Sequence, residues 1–180
     1  SIVAVSDGKI YDTQSDSPSA FHLVSSAQEL ETDVRRIDGV SFFQKHYFLD
    51  GLNYREYDSS LKTTDDWEAT GTITLPGGDG STGSYGSGTS DGNVRCSIIE
   101  KFMGRIVMSG KSDEPQNWFM SAFGDANDWD TLILPEEGGA VSGSSSKTLG
   151  EVADPVTALA PSGDSRLIIG SSNSMFAMTG

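Results

Sequence analysis

Arg105-Ile106-Val107-Met108-Ser109-Gly110 is the stretch that decides how this chain folds, because most of it is written again elsewhere. Arg166-Leu167-Ile168-Ile169-Gly170 repeats its basic residue, its apolar run and its glycine. Tyr47 to Gly51 is an earlier apolar run that also ends in glycine. Two of these runs follow matched segments, Ser41-Phe42-Phe43-Gln44-Lys45 and Ser97-Ile98-Ile99-Glu100-Lys101, which agree position by position in chemistry. Downstream, Asp66-Trp67-Glu68 corresponds to Asp128-Trp129-Asp130. Short apolar runs between turn residues are the pattern of strands, and a repeat of such groups is the pattern of a fold built from copies of one unit.

Working outward, Val3-Ala4-Val5-Ser6-Asp7-Gly8-Lys9-Ile10-Tyr11 has the strand, turn, strand form of Ile168 to Phe176, with Asp-Gly supplying a tight hairpin turn. On that alignment the chain holds three units of about 55 residues, approximately 12–67, 68–130 and 131–180. The second unit illustrates the plan. Strands are expected at 95–101, 105–110 and 117–123, with an outer fourth at 129–134. Four antiparallel strands per unit make a β-propeller blade, so the expected fold is all-β, a propeller segment of about three four-stranded blades. A propeller closes with about four to eight blades, so the segment is expected to be part of a larger propeller. Two stretches rich in Gly and Ser, 77–93 and 138–146, are expected to be low-complexity loops. The one helix candidate is 26–36, where Ser26 and Glu29 form a capping box.

Composition excludes several classes. The 26 acidic residues against 12 basic ones give a net charge of −14, which disfavours a sequence-independent grip on nucleic acid. No apolar run approaches the roughly 20 residues that span a bilayer, so no membrane insertion is expected. The single cysteine, Cys96, allows no internal disulfide and has no zinc-ligand companions, and it reads as a small buried hydrophobe on an inner strand.

Candidate chemistry is sparse. His22 and His46 are the only histidines; His46 is expected in a hairpin turn, and no Gly-x-Ser-x-Gly elbow accompanies either. Asp65 with Asp66, and Glu136 with Glu137, have the composition of a glycosidase couple, but as neighbours in peripheral loops they read as a solvated edge. Gly77-Gly78-Asp79-Gly80 opens like a calcium nonapeptide, yet Thr82 stands where that pattern needs aspartate. Trp67, Trp118 and Trp129 read as filling between blades, with sugar stacking as the functional alternative. The expectation is no catalytic, cofactor-binding or metal-binding residue, no cofactor, and no enzyme.

The run from Arg105 to Gly110, then Pro115-Gln116-Asn117-Trp118-Phe119-Met120-Ser121, then Gly124-Asp125-Ala126-Asn127-Asp128-Trp129-Asp130, resembles the blade pattern of tail nozzle proteins of short-tailed bacteriophages. Asp154 to Leu159, Arg166 to Gly170 and Ser174-Met175-Phe176 are similar to the blade that follows, so the resemblance covers mainly residues 95–180. It implies a virion tail protein in a homo-oligomeric ring. The implied neighbours are the portal, the adaptor and tail fibre proteins, with genome passing through the channel unbound. The alternative is a secreted or surface propeller that recognises glycans through loop aromatics.

Overall fold

The structure is a computed structural model, which describes residues 2–13, 20–24, 30, 36–70, 75–76, 95–131, 138–144 and 154–180. Among these residues every helix or strand is a strand, and 14 strands form four antiparallel sheets. The first sheet is β1 (Val3–Ser6), β2 (Lys9–Thr13) and β3 (Phe21–Leu23). The second is β4 (Asp38–Phe42), β5 (Lys45–Leu49), β6 (Tyr54–Asp58) and β7 (Thr63–Asp66). The third is β8 (Ile98–Phe102), β9 (Arg105–Ser109), β10 (Asn117–Met120) and β11 (Val141–Ser144). The fourth is β12 (Val156–Pro161), β13 (Arg166–Ser171) and β14 (Met175–Thr179). Each sheet is a meander in which strands pair in chain order.

Turn chemistry sets the first hairpin of each sheet. Ser6 pairs with Lys9 and Phe102 with Arg105, so Asp7-Gly8 and Met103-Gly104 are two-residue turns. All four of these residues have positive φ, which matches the turn's twist to that of the flanking strands. Phe42 pairs with Lys45 across Phe43-Gln44, where Phe43 has φ 53°. The basic residue that follows, Lys9, Lys45, Arg105 or Arg166, opens the second strand of all four sheets.

Period-two alternation then stacks the sheets. On the third sheet Ile99, Ile106 and Met108 pack with Phe42, Tyr47, Leu49 and Tyr54 of the second. Their neighbours Ile98 and Val107 face the other way, against Val156, Leu159, Leu167 and Ile169 of the fourth. On the second sheet Tyr57 turns from that cluster to join Ile10 and Val24 beside the first sheet, with Val3, Val5 and Phe48 around them. The order of stacking is therefore the order of the chain. The initial strands β4, β8 and β12 touch in succession, as the inner strands of propeller blades do. The expected all-β propeller segment of antiparallel blades is what the chain forms.

Several details differ from the sequence reading. Four sheets stand where three units were expected, two of them four-stranded and two three-stranded. The β1–β2 hairpin is the counterpart of β4–β5 and β8–β9, not of β13–β14, because Lys9 occupies the place of Lys45 and Arg105. A unit boundary at 130 would separate β10 from β11, which pair from Asn117↔Ser144 to Met120↔Val141. That fourth strand lies inside the stretch 138–146 expected to be a loop. Trp129 to Thr131, where the fourth strand was expected to begin, is not strand, and 132–134 lies outside the described residues. The helix expected over 26–36 falls almost wholly outside them too; Leu30 is described, non-helical and buried, with its N–H donated to Gly8 at 2.8 Å. The stretch 77–93 likewise lies outside the described residues.

Candidate functional site

The outer strand of the second sheet carries an acidic edge. Arg55 and Glu56 on β6 face Asp66 and Asp65 on β7 in register. Alternation sends them apart: Arg55 is buried, and its guanidinium forms an ion pair with Asp66, while Asp65 is exposed. Glu56 is held by Lys45 at 2.5 Å. A hollow of about 540 Å³ is lined by Glu56, Asp65, Asp66, Glu68 and Asn127, the last from the loop after β10. Two of its four carboxylates are thus neutralised, and Asp65 and Glu68 have no ion pair among the described residues. This edge presents net negative charge to solvent, which repels phosphate and blunts pairing of β7 with another strand.

Asp65 and Asp66 lie on a strand, not in a loop as expected. Their opposite orientations, with Asp66 committed to Arg55, leave no paired acid and base for glycoside chemistry. Glu136 and Glu137 lie outside the described residues, as do Gly77 to Gly80 and Thr82. Among the described residues, no three His, Cys, Asp or Glu side chains are grouped to hold a metal ion.

The tryptophans divide. Trp67 and Trp129 are buried between the second and third sheets, ring centroids 5.9 Å apart. Both indole N–H groups donate to the Ala126 carbonyl, at 3.2 and 2.8 Å, and Trp67 also donates to Asn127 Oδ1 at 3.0 Å. Neither presents a face to a sugar. Trp118 is half-buried and lies over Gly143.

His46 is in β5 rather than in a turn, because the turn closes earlier at Phe43-Gln44. It faces Ser41 across the ladder, with Ser41 Oγ 2.7 Å from Nδ1, and stacks on Tyr57. Burial and, secondarily, nearby positive charge including Lys62 hold its pKa below the ordinary 6.5, so the imidazole is neutral at pH 7. No carboxylate completes a triad there among the described residues. His22 lies in β3 opposite Asp12, and its Nε2 is buried without a hydrogen bond. Cys96 is buried just ahead of β8 rather than on it, and burial pushes its thiol up to about 12. That thiol is inert as a nucleophile at neutral pH. Its backbone N–H donates to Tyr54 Oη at 2.7 Å, and Tyr54 Oη donates to Pro76 O at 2.6 Å.

One buried constellation escaped the sequence reading. Asp12 on β2 accepts a hydrogen bond from Tyr57 Oη at 2.5 Å and an ion pair from Lys62, fastening the first sheet to the second. Burial raises the Asp12 carboxyl, but the Lys62 and Tyr57 bonds more than offset this and leave it below the ordinary 3.8. Asp12 lies 45 residues from Tyr57 and 50 from Lys62 in sequence, so no local motif announces the group.

These features define a class: an all-β chain built of blade-like antiparallel sheets. Comparison with known proteins found no matching family model, no similar curated protein and no similar solved structure.

Proposed function

We propose that this chain is a structural protein of a virion, a tail nozzle or hub component whose copies form a ring around the channel through which the genome leaves. The observation that carries the reading is the acidic edge: Asp65 and Glu68 are exposed and have no ion pair among the described residues, on a protein of net charge −14. Carboxylates lining a passage keep duplex DNA moving, since binding to phosphates is driven by cations that release counterions. The repeated blades support the same reading, because flat apolar sheets stacked in chain order make a rigid wall. The resemblance of residues 95–180 to nozzle blades supplies the particular assembly.

Negative-stain microscopy of the purified chain tests this, with a closed ring as the expected particle. A monodisperse monomer that binds members of a glycan array would favour recognition of sugars instead, and hydrolysis of a sugar panel would favour an enzyme.

A further inference from the structure

We draw no further inference here: the strongest candidate, the exposed apolar patch of Phe43 and Leu61 on the two turns at one end of the second sheet, carries nothing because nothing in the structure shows what covers it.

Discussion

Trp67 shows what single residues do here. Its indole fills the space between two sheets, lies 4.6 Å from Tyr47 and 5.9 Å from Trp129, and donates to the loop of the next sheet. Trp67→Ala removes a fully buried ring and a hydrogen bond, so it should cost about 3–5 kcal/mol in urea unfolding. A loss below about 1 kcal/mol would contradict its place in the inter-sheet core. Asp12 makes a prediction of opposite kind, in pH rather than size. Its carboxyl has a folded pKa below the ordinary 3.8, so the stability it supplies is fully present above that value. It is lost as pH falls through the folded pKa. Asp12→Asn should therefore lower the melting temperature at pH 7 and flatten the acid limb of the melting curve; parallel wild-type and variant curves from pH 7 to pH 3 would contradict the clamp. The Asp12 contact was not readable beforehand, because Asp12 meets Tyr57 and Lys62 only after two sheets have formed and stacked. The burial of Trp67 and Trp129 was readable, since large aromatics recurring with the repeat belong between repeats.

At the scale of elements, adjacent residues on one strand support different neighbours. Ile106 faces the second sheet and Val107 the fourth. Ile106→Ala should cost roughly 2–5 kcal/mol, and Leu167→Ala a similar amount, because both sites are fully buried. Chemical denaturation of the two variants checks this, and near-neutral midpoints in both would refute the stacking. Turn geometry gives a second case. Gly104 has φ 70°, and a Cβ there would lie 2.7 Å from the Phe123 ring. The ring is exposed and can shift, so the backbone term dominates, and Gly104→Ala should cost about 1–2 kcal/mol. The strands β9 and β13 were legible because a basic residue, an apolar run and a glycine recur together. β11 was not. Val141-Ser142-Gly143-Ser144 reads as linker, yet Gly143 gives the Trp118 ring its place: a Cβ on it would run into the ring that lies across it. The small side chains that resemble a flexible loop are what lets an outer strand close under a tryptophan. The phase of the first hairpin was missed for a similar reason, as Asp7-Gly8 signals a tight turn without saying which hairpin of the blade it closes.

For the whole molecule, charge and architecture act together. Sheets stacked by apolar faces leave carboxylates on outer strands and turns, and the molecule carries a net charge of −14. The intact protein should show no measurable binding to duplex DNA at moderate salt in an electrophoretic shift. Tight binding that weakens with salt would contradict the passage model. Composition made the negative surface legible, but not which carboxylates remain unpaired, since that depends on Lys45 and Arg55 reaching Glu56 and Asp66 from the neighbouring strands. Asp65→Lys with Glu68→Lys should leave folding nearly unchanged, both residues being exposed, while slowing genome release. The most direct measurement is electron cryo-microscopy of the assembled particle. The account predicts a closed ring of copies around an open lumen, with Asp65 and Glu68 on the wall of that lumen. A chain that stays monomeric, or a ring with both carboxylates on its outer surface, would contradict it.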